Sequence, residues 1–149
     1  MSLPEERSAS RVVYFDQPAD SLWRILTDYG GYATWRPEVS RVEMLPERNG
    51  HSVWREYDKR GRRATYEAEE TVPRSRLEVM LIDEGRGISG SLTMEIEPDG
   101  GGCFLSIKEK SYIRSPFFRF IASLFQRRAS TIDARLRALG ARLGQKLIL

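Results

Sequence analysis

The chain has 149 residues, with 24 Lys and Arg against 21 Asp and Glu, and it contains one cysteine and one histidine. A chain of this length can bury a core without disulfides, so we expect one domain over residues 1–149, with residues 1–7 extended or disordered. The single cysteine excludes an intramolecular disulfide, and one Cys with one His argues against a zinc site.

Segments rich in β-branched and aromatic residues alternate with turn residues along most of the chain. A first strand is followed by a short helix from Ala19, which Asp28-Tyr29-Gly30-Gly31 ends, and by one more helical turn at 32–35. Asn49-Gly50 is a strong hairpin signal, and the other short turns also require antiparallel neighbours. The predicted strands are 8–15, 39–45, 51–58, 63–72, 77–83, 88–97 and 103–113.

One long helix is predicted at the C-terminal end, over about 116–144. Ser115 suits its cap and Pro116 its first position, and it would span roughly 45 Å. Its apolar stripe comprises Phe117, Ile121, Phe125, Ile132, Leu136, Leu139 and Leu143. Because Gly140 and Gly144 weaken the helix end, we expect the tail beyond Gly144 to fray.

The element order is therefore β-α-α-β6-α, in the α+β class. A sheet of about seven antiparallel strands curls strongly, and its concave face needs an apolar cover, which the long helix supplies. The period of two predicts which strand residues face the helix. Strand 51–58 stays ambiguous, since either Val53 with Tyr57 or Trp54 could point inward.

Three stretches carry a family resemblance: PADSLWRILTDYGGYATWRPEV, GISGSLTMEIEPDGGGCFLSIKEK and IRSPFFRFIASLF. Together they resemble the START-like (SRPBCC, Bet v 1-like) superfamily of helix-grip proteins, in particular its polyketide cyclase/dehydratase and lipid-transport branch. The resemblance implies a curved sheet gripping the long helix, with a cavity for an apolar ligand between them. It supplies no shared catalytic residue.

We expect ligand binding in that cavity, without a cofactor or metal. The ligand would be a lipid, an isoprenoid or an aromatic polyketide. We expect it to be lined by Trp35 of the short helical turn and by residues of the strands and the long helix, namely Trp54, Tyr66, Ala68, Met94, Ile107, Phe118, Ile121, Phe125 and Arg128.

Two carboxylates in the inward phase of their strands suggest an alternative, an enzyme of the cyclase, aromatase or dehydratase type. Glu70 and Glu109 would have raised pKa values in an apolar cavity, and Tyr66 lies on the same face as Glu70. The competing interpretation pairs both carboxylates with Arg55 or Arg128 and gives them a structural role. Arg128 itself would either reach an anionic head group or leave its guanidinium in water.

The C-terminal segment is strongly basic, which raises a third hypothesis. From Ile113 onward the cations are Arg114, Arg119, Arg127, Arg128, Arg135, Arg137, Arg142 and Lys146, against one acidic residue, Asp133. They form either a solvated face or an adaptor surface for an anionic membrane or protein. Nucleic acid is disfavoured, since no aromatic platform is interleaved. We expect a cytoplasmic monomer or dimer, with His51 exposed beside a turn.

Overall fold

The structure, a computed structural model, describes residues 5–85, 87–113 and 131–149. Two α-helices are present in these ranges, α1 (Ala19–Thr27) and α2 (Thr131–Leu143), together with a 3₁₀ helix at Tyr29–Thr34. The strands are β1 (Glu5–Phe15), β2 (Arg41–Arg48), β3 (His51–Tyr57), β4 (Arg63–Val72), β5 (Arg76–Leu81), β6 (Ile88–Asp99) and β7 (Gly102–Ile113).

All seven strands form one antiparallel sheet in the order β1-β7-β6-β5-β4-β3-β2. Strands β2 to β7 are consecutive neighbours, whereas β1 pairs with β7 at the far side, with Arg11 opposite Ile107 and Phe15 opposite Cys103. The two edge strands, β1 and β2, are joined through α1 and the 3₁₀ helix. This is the curved sheet with a C-terminal helix that the sequence predicted, in the same element order.

The predicted turn between β2 and β3 is confirmed. Asn49 and Gly50 have φ of 53° and 78°. Positive φ at both central residues is the requirement of a type I′ turn, whose twist matches that of the flanking strands. The hairpin is therefore fixed by local sequence.

The core lies between the concave face of the sheet and the helices. Alternate residues of β5, β6 and β7 face it, and α1 adds Leu22 and Leu26, which are 0% and 1% exposed. From α2, Ile132, Leu136 and Leu139 are buried at four- and three-residue steps. The predicted apolar stripe is thus confirmed for α2. Its part in residues 114–130 lies outside the described residues.

The chain after α2 does not fray, which corrects the sequence prediction. Gly144, at φ of 73°, ends the helix, and the Gln145 backbone N–H donates to the Gly140 carbonyl at 2.8 Å, in a Schellman arrangement. The Gln145 side chain then binds the end of β1, donating to the Tyr14 carbonyl at 2.9 Å and accepting from the Asp16 N–H at 2.8 Å. Leu147 and Leu149 pack against the core.

One ion pair also fastens α2 to the first strand. The Arg11 Nε donates to Asp133 Oδ1 at 3.0 Å and its Nη2 donates to Oδ2 at 3.1 Å. Such a bidentate ion pair holds the guanidinium and the carboxylate in one relative orientation. The pair acts together with the buried Ile132, Leu136 and Leu139 to orient α2 against the sheet.

Candidate functional site

A cavity of about 260 Å³ lies on the concave side of the sheet, between strands β3 to β7 and α2. Gly90 of β6 is part of its wall, and a Cβ there would lie 2.7 Å from the Lys110 carbonyl oxygen of β7. The missing side chain thus lets the backbone itself form part of the lining. The lining residues are Tyr32, Arg36, Glu38, Trp54, Glu56, Tyr66, Val79, Leu81, Ile88, Ser89, Gly90, Ser91, Leu92, Glu109, Lys110, Ser111 and Arg135.

One wall of the cavity is aromatic and is centred on Trp54, which is fully buried. Its ring stacks on Tyr29 with centroids 4.2 Å apart, and on Tyr66 with centroids 5.8 Å apart. Tyr32 meets the same ring edge-on, and its hydroxyl donates to the Leu26 carbonyl at 2.5 Å. The structure therefore resolves the ambiguity of strand 51–58, because Trp54 faces the cavity.

A buried ion pair stands beside this aromatic wall. Glu56 follows Trp54 by two residues on the same strand face, and its Oε2 accepts from Arg36 Nη1 at 2.9 Å and from Trp54 Nε1 at 2.9 Å. The Arg36 Nε donates to Glu38 at 2.8 Å. Arg36 and Glu56 are 5% and 8% exposed. The Arg36 guanidinium thus has two carboxylate partners.

The ion pair sets the protonation of its members. Burial alone would lower the pKa of Arg36, but the charges of Glu56 and Glu38 outweigh burial, and the pKa is raised. Burial acts to raise the pKa of Glu38, but the charge of Arg36 and the hydrogen bonds to Glu38 together outweigh burial, and the pKa of Glu38 is lowered. Both groups remain charged at neutral pH.

A second arginine of the cavity, Arg135, is placed differently. It extends from α2 and is partly buried. Burial, followed by repulsion from Arg36, lowers its pKa. No hydrogen bond or ion pair joins Arg135 to another described residue. It is therefore a cation with donors facing the cavity.

The cavity tyrosines are held in the protonated form. Burial, followed by the charge of Glu56, raises the pKa of Tyr66 to about 12, even though Arg135 acts to lower it. Burial, followed by Glu70, raises the pKa of Tyr29 to about 12 as well. At neutral pH the Tyr66 hydroxyl is consequently a hydrogen-bond donor at the cavity wall.

A model of the polyketide cyclase/dehydrase and lipid transport family matches residues 6–144. The chain belongs to this family. Its described residues have the helix-grip fold of the START-like superfamily, which confirms the resemblance read from the sequence. A comparison with curated protein sequences finds no match.

Solved structures agree with that assignment. The Zhui aromatase/cyclase from Streptomyces sp. R1128 is 18% identical, with a TM-score of 0.71 over 94% of each chain. A START superfamily protein from Mycobacterium smegmatis is 18% identical, with a TM-score of 0.70 over 92% of this chain and 97% of its own. Norcoclaurine synthase from Thalictrum flavum is 14% identical, with a TM-score of 0.70 over 96% and 97%. At these identities the likeness shows the fold.

Some of the residues predicted for the site do line the cavity of this polyketide cyclase/dehydrase family member. Trp54, Tyr66 and Glu109 are among them. Trp35 is partly buried and meets Tyr32 edge-on, with centroids 5.6 Å apart. Ala68, Met94 and Ile107 are buried and are not among the residues that line this cavity. Phe118, Ile121, Phe125 and Arg128 lie outside the described residues.

The two candidate carboxylates are not brought together. Glu70 is exposed near the end of β4 and does not line the cavity that Glu109 lines. Arg55, offered as a structural partner for them, instead donates to Glu43 at 3.3 Å. The expectation for His51 is also corrected, because it is partly buried and its Nδ1 lies 3.0 Å from Glu67 Oε2.

Sequence reasoning missed the polar half of the cavity. The signal for Glu56 was its position two residues after an inward tryptophan. The signal for Arg135 was its spacing of three from Ile132 and four from Leu139, both in the apolar stripe. Within the described ranges, no group of three His, Cys, Asp or Glu side chains could hold a metal, and no helix is long and apolar enough to cross a membrane.

Proposed function

We propose that this protein binds an aromatic small molecule in the cavity between the sheet and α2. The observation that carries the proposal is the pairing of two unlike walls: the aromatic cluster around Trp54, and the aliphatic side chains of β5 and β6. The aliphatic wall comprises Val79, Leu81, Ile88 and Leu92. A flat ring bound in this cavity would contact both aromatic and aliphatic side chains.

The cavity favours an aromatic ligand over the lipid or isoprenoid that the family description would also allow. Its volume, about 260 Å³, is just below the usual range for ligand sites, which begins at about 300 Å³. Charged groups, Arg36 and Arg135, lie at the same cavity as the rings. A ligand with a compact ring system and polar substituents fits these features better than a long alkyl chain.

Binding is tested with a pair of tryptophan substitutions on one strand. Leu81 lines the cavity, whereas its neighbour Met80 is 48% exposed on the opposite face of β5. Leu81→Trp should fill the cavity, and Met80→Trp should leave it open. We expect aromatic compounds to raise the melting temperature of the native protein and of Met80→Trp, with no rise for Leu81→Trp.

The size of the shift is set by mass action. A ligand at a hundred times its dissociation constant stabilises the native state by about 2.7 kcal/mol. Native mass spectrometry of the same mixtures should show one ligand per chain. If Leu81→Trp binds as well as Met80→Trp, the cavity is not the binding site and the proposal fails.

A second candidate function is proton transfer on a bound ligand, as in a cyclase or dehydratase. The observation in its favour is that Tyr66 and Glu109 line the same cavity, with Tyr66 held as a neutral donor. Tyr66→Phe and Glu109→Gln should then abolish turnover of an aromatic polyketide precursor while binding persists. Retained turnover in both variants would exclude the two residues as the acid and base.

A further inference from the structure

The two arginines of the cavity differ in their partners. Arg36 gives its donors to Glu38 and Glu56, at 2.8 and 2.9 Å. Arg135 has no such partner among the described residues, although its charge acts on the hydroxyl groups of Tyr32 and Tyr66. A partly buried arginine that forms no ion pair with a described residue has N–H donors to offer to a ligand group.

The carboxylates nearby are used by other side chains. Glu56 Oε2 accepts from both Arg36 and Trp54, and Asp133, two residues before Arg135 on α2, holds Arg11. The charge of Glu56 acts to raise the pKa of Arg135, but no ion pair joins these two side chains. Neither Glu56 nor Asp133 therefore forms an ion pair with Arg135.

We propose that Arg135 is the anchor for an anionic group of the ligand, and that the ligand is an aromatic carboxylate. This rests on the proposed function and adds the chemical class to it. The guanidinium presents a planar fork of N–H donors, which matches the two oxygens of a carboxylate. The ring of such a ligand would lie against Trp54 while its carboxylate meets Arg135.

A second donor at the cavity supports the same class. No described residue accepts a hydrogen bond from the Tyr66 hydroxyl, which stays protonated at neutral pH. A carboxylate held by Arg135 has lone pairs to spare for that hydroxyl. A neutral ligand of the same shape, such as a primary amide, offers these two donors one carbonyl oxygen and carries no charge.

The test compares 2-naphthoate with 2-naphthamide, which have the same ring and differ in charge. Affinities are measured by titration calorimetry on the native protein, on Arg135→Met and on Arg137→Met. Arg137 lies on the same helix and is exposed, so its substitution controls for loss of one positive charge. Each variant is first checked by circular dichroism for a native spectrum.

We expect the native protein to bind naphthoate at least tenfold more tightly than naphthamide, since a hydrogen bond to a charged group contributes that much. Arg135→Met should lose the preference for naphthoate and still bind naphthamide. Arg137→Met should retain the preference for naphthoate, and Arg135→Lys should show part of it. Tyr66→Phe should weaken naphthoate binding several-fold.

The outcomes separate the two proposals. Equal affinity for the acid and the amide, or a preference that survives in Arg135→Met, overturns the anchor and leaves the aromatic site standing. Binding of neither compound to the native protein overturns the aromatic site, and the anchor with it. If Arg137→Met loses the preference for naphthoate as fully as Arg135→Met does, the preference comes from the overall positive charge of the protein. That result also overturns the proposal that Arg135 is the anchor.

Discussion

Replacing Glu56 with Gln would test the buried ion pair of the cavity most directly. The glutamine keeps an oxygen for the Trp54 N–H, so one of the two bonds that Glu56 accepts is preserved. What it removes is the negative charge 2.9 Å from Arg36 Nη1. Arg36 is then left 5% exposed, with Glu38, a half-exposed carboxylate, as its remaining partner.

The expected loss follows from that burial. Breaking a buried pair by removing one partner costs about 3–5 kcal/mol, and the retained Glu38 contact places this case near 3 kcal/mol. For a domain of this size, each kcal/mol lowers the melting temperature by about 2–4 °C, so the variant should melt about 6–12 °C lower. Urea unfolding at neutral pH measures the same loss as free energy.

Two further variants define what would refute this reasoning. Glu43→Gln removes the more exposed pair between Glu43 of β2 and Arg55 of β3, and should cost less than about 1 kcal/mol. Arg36→Met combined with Glu56→Gln should be less damaging than the two single losses added together, because neither charge is then stranded. If Glu56→Gln costs no more than Glu43→Gln, or if the two losses are additive, the pair does not stabilise the cavity.

Three other predictions follow from the described contacts. The hydrogen bond to Glu67 raises the pKa of His51 above 6.5 in the folded protein. The contact therefore stabilises the fold below pH 6.5, and this stabilisation is lost as the pH rises through the pKa of folded His51. In a proton NMR titration, His51 should titrate above pH 6.5 in the native protein and near pH 6.5 in Glu67→Gln. Gly140→Ala should destabilise despite better helix propensity, because the new Cβ would lie 2.5 Å from the Gln145 carbonyl oxygen. Arg135→Met should stabilise the unliganded protein by about 1 kcal/mol in urea unfolding.

The sheet was predictable because its signals are local. Alternation with a period of two and turn pairs such as Asn49-Gly50 depend on neighbours in sequence, and every predicted strand is present, with ends shifted by up to three residues. The docked tail was not predictable in this way. It depends on Gln145 reaching Tyr14, which lies 131 residues earlier in the chain.

The cavity was predictable by its rings and not by its charges. Tyr66 follows from strand phase, and Trp54 was one of two alternatives for its strand; both line the cavity. Arg36 and Glu56 meet across 20 residues, and nothing in either local pattern indicates the other. Arg135 read as one of many surface cations on a basic helix. Its inward position depends on how α2 is oriented, and this orientation involves both the buried apolar residues of α2 and the contact of Asp133 with β1.

Packing alone does not account for charges at this cavity. Replacing a buried ion pair by apolar residues of similar volume commonly leaves stability unchanged or increases it. If these positions served only to pack the sheet, aliphatic side chains would therefore give equal stability. The charged residues differ in role. Arg36 and Glu56 form an ion pair, and Glu56 also accepts a hydrogen bond from the Trp54 N–H. Arg135 forms no ion pair with Glu56. A protein that keeps a desolvated cation beside aromatic rings gives up stability in the empty state, and an anionic aromatic ligand would recover it on binding.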